Sequence, residues 1–210
     1  MTRILIAGAT GLVGGHVLQR ALADDRVTAV VAPTRRPLSS HPKLSNPVSD
    51  LSTLPDDEAW WAVDGVVCTL GTTRAKAGSA EAFRAVDYDL QLAVARHARA
   101  HGARRFALTS SMGADPRSPF PYLRTKGELE AAVGDLSFPS LTIVRPGPIL
   151  GERAETRIAE RALGAALRVF GPVLPTRLRG NRAERIAQAL LEAAVAGPDG
   201  FRLVGAAEIG

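Results

Sequence analysis

Ile4-Leu5-Ile6-Ala7-Gly8-Ala9-Thr10-Gly11-Leu12-Val13-Gly14-Gly15 is an apolar run that breaks into a glycine-rich turn and passes at once into helix-forming residues. A strand that ends in such a turn and feeds a helix presents free backbone N–H groups, and the positive end of the helix dipole, to a pyrophosphate. The spacing is Gly-x-x-Gly-x-x-Gly, set by Gly8, Gly11 and Gly14, not the commoner Gly-x-Gly-x-x-Gly. Glycines let a ligand approach the backbone, and Thr10, Leu12 and Val13 between them add main-chain donors. A purely structural turn is the other reading of the same glycines.

Working outward, β-branched apolar runs recur at Val27 to Ala32, Val63 to Thr69, Arg105 to Thr109 and Leu141 to Arg145, separated by segments of helical periodicity. This alternation predicts an α/β fold: a doubly wound parallel sheet of Rossmann type with helices on both faces. The first helix is expected from Leu12 to about Ala23. The longest covers about Ser79 to His101, with Phe83, Val86, Leu90 and Val94 on one stripe. A shorter one starts after Pro119 or Pro121 and ends near Val133, and a short strand is expected between Leu44 and Ser49. Past Pro146 the alternation fails, leaving helical patterns at about Glu155 to Phe170 and Arg182 to Val195. The chain therefore reads as one domain, with residues 1–146 as the nucleotide-binding core and 147–210 as a short helical extension walling a substrate pocket.

At 210 residues, 46 % hydrophobic and 22 % charged, the composition is that of a globular protein. No apolar stretch approaches the roughly 18 residues that span a bilayer, and the N-terminus lacks the parts of a signal peptide, so the expected location is cytoplasmic, without membrane partners. Cys68 is the single cysteine, which excludes an internal disulfide. The net charge of +5 is carried mostly by scattered arginines, and with 5 % aromatics and no recognition motif the chain does not read as a nucleic-acid binder. The long central helix would either cover the sheet or pair with its counterpart in a homodimer.

Chemistry enters at the strand ends. After the second strand an NAD site places an acidic residue and an NADP site an arginine. The chain has Pro33-Thr34-Arg35-Arg36, so Arg35 and Arg36 would grip a 2′-phosphate, and NADP(H) is favoured over NAD(H). Two charges on a solvated loop are the plainer reading. Further on, Tyr122 and Lys126 stand one helical turn apart on one face. A free phenol has a pKa near 10, and a neighbouring cation stabilises the phenolate, making proton exchange with a substrate oxygen feasible. An exposed amphipathic helix would also carry this pair. Upstream, Thr109-Ser110-Ser111-Met112 delivers hydroxyls to the sheet edge. Ser111 is the choice for holding the reacting oxygen, with Ser110 close behind, because adjacent residues of an extended chain point opposite ways and only one can face the pocket; a Ser/Thr turn satisfying its own backbone is the plainer reading. Leu70, Gly71 and Thr72 offer close backbone approach to the cofactor.

The remaining polar residues carry less. Cys68 reads as a small core residue, and Trp60 and Trp61 as packing beneath a loop. His97 and His101 lack further ligands, so no metal is expected. Arg177, Arg179, Arg182 and Arg185 read as a solvated face or as a contact for an acidic substrate.

Together, the glycine motif, Ser111 and Tyr122-x-x-x-Lys126 resemble the short-chain dehydrogenase/reductase superfamily in its atypical branch. The stretches CTLGTTRAKAG, VDYDL, SSMGAD, YLRTKGELE and RPGPILGER look like the Tat-interacting-protein-like oxidoreductases. The resemblance implies a Rossmann sheet binding NADPH with Ser111, Tyr122 and Lys126 as catalytic residues. It also implies that Lys126 holds the nicotinamide ribose, that Asp50 and Leu51 lie near the adenine, and that Pro146 and Gly147 lie near the nicotinamide. Where many members carry an asparagine in the central helix, this chain has Asp87.

The expected activity is NADPH-dependent reduction of a carbonyl, or oxidation of an alcohol, on a small molecule. Two other readings stay open. One is an NADP(H)-sensing module acting through a protein partner; the other is an epimerase or dehydratase that returns the hydride to its substrate.

Overall fold

The computed structural model describes residues 1–49, 51, 54–55, 59–150 and 180–209. Its main sheet has seven strands, all parallel: β1 (Thr2–Ala7), β2 (Val27–Val31), β3 (Leu44–Ser45), β4 (Gly65–Cys68), β5 (Arg105–Thr109), β6 (Ser140–Arg145) and β9 (Gly200–Gly205), in the order β3-β2-β1-β4-β5-β6-β9. A second pair, β7 (Ile149–Leu150) with β8 (Asn181–Arg182), is also parallel. The strand order reverses at β1, between β2 and β4, so the crevice expected at a topological switch point opens above Gly8.

The two faces of the sheet divide the core. Ile4, Ile6, Val30, Val67, Ala107 and Val144 pack against α1 (Leu12–Ala23) and α6 (Ala183–Ala196). Leu5, Val66, Phe106, Leu108 and Ile143 pack against α4 (Gln91–Ala100) and α5 (Pro121–Gly134) on the other side. Burial on both faces is why these strands are continuous apolar runs and do not alternate. Each fully buried Ile or Leu contributes about 1.5–3 kcal/mol, so the central strands anchor the fold. At Gly65 a Cβ would lie 2.1 Å from the carbonyl oxygen of Ala194, so α6 sits directly on the strand backbone.

The alternation does not end at Pro146: α6 and β9 complete the sheet, and β9 continues the register from Ser140↔Gly200 to Arg145↔Gly205. A boundary at residue 146 therefore cuts through the sheet, because residues 183–205 belong to the core and not to an appended wall. β9 was missed because its first four residues are exposed and it lacks the apolar run of an interior strand. The expected helix at 155–170 lies outside the described residues, as do Arg177 and Arg179.

The long central helix is not uniform. A short helix, α2 (Arg74–Ala77), comes first; then α3 (Ala80–Arg84), capped by the Ser79 hydroxyl, passes into a π-helical segment at Ala85–Leu90 before α4 begins. Wider turns rotate the inward line, so Asp87 and Gln91 are buried while Val86 and Leu90, expected on the stripe, are only half-buried. Trp60 and Trp61 do pack under a loop, in a 3₁₀ turn, with the Trp61 indole donating to the Pro55 carbonyl at 2.7 Å and stacking on His97.

Candidate active site

The glycine turn is shaped by contacts that a side chain would destroy. Gly8 has φ +94°, and a Cβ there would meet Thr69 Oγ1 at 2.7 Å; at Gly14 it would meet the Gly8 carbonyl oxygen at 2.1 Å. Gly11 caps α1 with no side-chain hydrogen bond, and no acidic residue stands in the first turn. The first intrahelical bond of the turn runs from Gly15 N–H to the Gly11 carbonyl at 2.8 Å, so the amides of Leu12, Val13 and Gly14 precede it. The side chain of Val13 belongs to the core, and only its main chain faces the turn. Anion-directed amides, a first helical turn without carboxylates and a backbone open to close approach fit a dinucleotide pyrophosphate.

Arg35 and Arg36 are exposed just beyond β2. Their loop is fixed by Asn46, whose amide donates to the Ala32 carbonyl at 2.5 Å and to Thr34 Oγ1 at 2.8 Å. Thr34 Oγ1 in turn donates to the Arg36 carbonyl at 2.6 Å. Leu51 is buried with φ +62°, and Asp50 lies outside the described residues.

Across the switch point, Leu70, Gly71 and Thr72 follow β4 at the ligand edge. Asp87 Oδ2 accepts from the Thr72 amide at 2.7 Å, and Asp87 Oδ1 pairs with Lys126 Nζ at 2.8 Å. Both side chains are buried, Asp87 at 1 % and Lys126 at 5 % exposure. The π-helical segment thus aims a carboxylate at the helix that carries Tyr122 and ties it to the Leu70–Thr72 strap. The pair is held inside the protein, so removing either partner would leave a buried charge uncompensated.

Tyr122 stands one turn before Lys126 on α5 and is open to solvent, with its ring 5.9 Å from that of Phe83. It lines a cleft of about 370 Å³ together with Ser110, Ser111, Met112, Pro146, Gly147, Pro148 and Ile149. The structure thus brings Ser111, Tyr122, Pro146 and Gly147 to one cleft, while Lys126 is buried one helical turn after Tyr122. Both serines line the cleft, contrary to the expectation that only one would. Their hydroxyls differ: Ser110 Oγ is buried and donates to Glu130, whereas Ser111 Oγ, among the described residues, makes a long contact of 3.3 Å to the Met112 carbonyl. Gly147 is held from behind by Asn181, whose Oδ1 accepts from the Gly147 amide at 2.8 Å and whose Nδ2 donates to the Ala206 carbonyl at 2.9 Å.

Glu130, Arg145 and Asn181 were not singled out from the sequence. Glu130 had a signal: it lies one turn beyond Lys126 on the same helix, which repeats the Tyr122–Lys126 spacing. Asn181 had none, because its partners come from two distant segments.

The model of a family described as NAD(P)H-binding matches residues 8–167. The protein named FMP52, mitochondrial, of Candida albicans is 40 % identical over 161 residues, covering 72 % of this chain and 69 % of that protein. Its namesake in Coccidioides immitis is 34 % identical, covering 97 % of this chain and 92 % of that protein. Among solved structures, MoeE5 in complex with UDP-glucuronic acid and NAD superposes with TM-score 0.75 at 20 % identity, over 97 % of this chain and 76 % of that one. The PhqB reductase domain of Penicillium fellutanum has TM-score 0.68 at 20 % identity, over 96 % of this chain and 65 % of that one. At such identities the structures share the fold alone.

The expectation of a cytoplasmic location is overturned by these sequence relatives, which are named as mitochondrial proteins. It rested on the absence of membrane and secretion signals, and those features do not distinguish one interior compartment from another. In sequence the chain belongs to the NAD(P)H-binding family, and in fold it is a Rossmann-type α/β protein.

Proposed function

We propose that the protein is an NADPH-dependent oxidoreductase acting on a small carbonyl or alcohol, with Ser111, Tyr122 and Lys126 as its catalytic residues. The observation that carries this reading is the cleft in which Tyr122 is open to solvent and Ser111 lies opposite, while Lys126 is buried one helical turn after Tyr122. The cofactor, when bound, supplies the hydride. The amides of the Gly8–Gly14 turn would hold its pyrophosphate, Leu70 to Thr72 would run alongside it, and Pro146 with Gly147 would wall its reactive end. Arg35 and Arg36 support the preference for NADP(H), since their forked donors match a 2′-phosphate.

In the reducing direction the Ser111 hydroxyl donates a hydrogen bond to the substrate carbonyl oxygen and polarises it. Tyr122 would pass its phenolic proton to that oxygen. The Lys126 ammonium stabilises the phenolate left behind, and Asp87 keeps the ammonium in place. The phenolate then recovers a proton from water in the open cleft. Oxidation of an alcohol runs the same steps backwards.

The test is Tyr122→Phe, assayed by NADPH oxidation against a panel of aldehydes and ketones. The expected result is loss of turnover with NADPH affinity changed less than about twofold, which is within about 0.4 kcal/mol. Turnover equal to wild type would remove Tyr122 from the mechanism.

A further inference from the structure

Beneath the cleft a single buried carboxylate joins all three of its walls. Glu130, on α5 two turns after Tyr122, accepts a hydrogen bond from Ser110 Oγ and a forked interaction from the Arg145 guanidinium. Ser110 follows β5 and precedes Ser111 and Met112, which line the cleft. Arg145 ends β6 and precedes Pro146 and Gly147, which form its opposite side. Glu130 itself shares the helix of Tyr122 and Lys126.

Ser110 and Glu130 are exposed by only 5 % and 8 %. Pairing with Glu130 drives the Arg145 pKa upward against its burial, so the guanidinium stays charged. Burying a charged pair of this kind gains little stability over an apolar replacement. What it supplies is direction, because the carboxylate has fixed geometry and reaches three segments whose relative positions determine the cleft. Main-chain bonds follow the same lines: Ser110 N–H donates to the Val144 carbonyl at 2.8 Å and Met112 N–H to the Pro146 carbonyl at 2.9 Å.

We propose that Glu130 and Ser110 are positioning residues for the reaction: through Arg145, they set the Ser111–Met112 wall and the Pro146–Gly147 wall relative to Tyr122. Ser110 is thereby assigned to Glu130 and not to the substrate, which leaves Ser111 as the hydroxyl for the reacting oxygen. This rests on the oxidoreductase reading for its kinetic consequence, but its structural content can be read without a substrate. Met112 is one of only two methionines, and the other, Met1, is fully exposed at the N-terminus, so methyl-labelled methionine gives one resonance on the cleft wall and one internal control.

The experiment compares Ser110→Ala, Ser110→Thr and Glu130→Gln in the full-length protein by ¹³C-methyl methionine spectra, NADPH titration and turnover of the best carbonyl in the panel. In Ser110→Ala the Met112 resonance is expected to move or broaden while Met1 stays fixed. NADPH affinity should change less than twofold, and kcat should fall by about ten- to a hundredfold, as for a misplaced wall. Ser110→Thr, which retains the hydroxyl, should restore the Met112 line and most of kcat. Glu130→Gln is expected to move Met112 in the same direction as Ser110→Ala.

A Ser110→Ala protein with an unmoved Met112 resonance and wild-type kcat overturns the proposal, even if its melting temperature falls. Failure of Ser110→Thr to restore the resonance overturns it as well. If no carbonyl is turned over by the wild type, the oxidoreductase reading fails on its own, and the Met112 spectra still decide whether this network holds the cleft wall. Should Glu130→Gln fail to fold, the two Ser110 variants suffice.

Discussion

Cys68 shows how far one residue's surroundings reset its chemistry. It is the last residue of β4, fully buried, with its thiol 3.9 Å from Gln91 Oε1. Burial pushes its pKa from the ordinary 9.0 up to about 11, and the Leu70 amide and Lys126 offset that only in part. The thiol is therefore expected to resist a disulfide reagent at pH 8 in the folded protein and to react at once in denaturant. The sign for stability follows from proton linkage. Between pH 9 and 11 the unfolded chain loses the thiol proton and the folded chain keeps it, so the unfolded state gains. Stability from this group is intact below about pH 9 and falls as pH rises, by about 2 kcal/mol at pH 10.5. Denaturant unfolding at pH 8.5 and 10.5 should show that Cys68→Ala, though less stable overall, loses less over this interval than the wild type. Equal losses would mean that the thiol is not shielded as its surroundings imply.

At the scale of the element, α5 carries both Tyr122 with Lys126 and an apparent defect. Gly127 lies in its interior, where glycine costs about 1 kcal/mol relative to alanine, so on an exposed helix the substitution to alanine would stabilise. Here a Cβ would lie 2.3 Å from Pro116 N and 2.4 Å from the Asp115 carbonyl carbon, and backbone cannot swing aside as a side chain can. Gly127→Ala should therefore destabilise by about 1–3 kcal/mol, and it should lower kcat because α5 must tilt away from the segment after Ser111. Denaturant midpoints and NADPH oxidation check both. A rise in stability would show that the contact yields. Tyr122 and Lys126 were legible because a phenol and an ammonium at helical spacing form an unusual chemical pair. Asp87 at the centre of the site was noticed only as a departure from a pattern, since hydrophobic periodicity assumes a uniform turn. The π-helical segment breaks that assumption within six residues. Glu130 was missed for the opposite reason: a helical glutamate ordinarily faces water, and only the tertiary meeting with Ser110 and Arg145 brings it inside.

For the whole molecule, the glycine turn and the apolar runs were enough to specify a doubly wound parallel sheet, because strands buried on both faces declare themselves. The last strand did not, for it lies at the sheet edge and exposes most of its residues. Its importance comes from what it joins. β9 pairs with β6 from Ser140 to Arg145, brings Val204 and Ile209 into the core at 6 % and 4 % exposure, and leads to Ala206, the acceptor for Asn181. A chain ending at Gly197 would keep α6 but lose these contacts. Burial of the two aliphatic side chains alone contributes about 3–6 kcal/mol, a large share of the roughly 5–15 kcal/mol that holds a domain folded. The truncated chain is therefore expected to lose its cooperative melt in circular dichroism and its NADPH binding together. Asn181→Ala separates the two contributions, because it leaves β9 in the sheet and removes only the tie between Gly147 and Ala206. That variant should melt cooperatively and bind NADPH, yet show a raised KM for the carbonyl, since the Pro146–Gly147 wall is no longer held from behind. A truncated chain that melts within a few degrees of the full one would place the molecule's stability in the first six strands of the main sheet, and β9 would then serve the cleft alone.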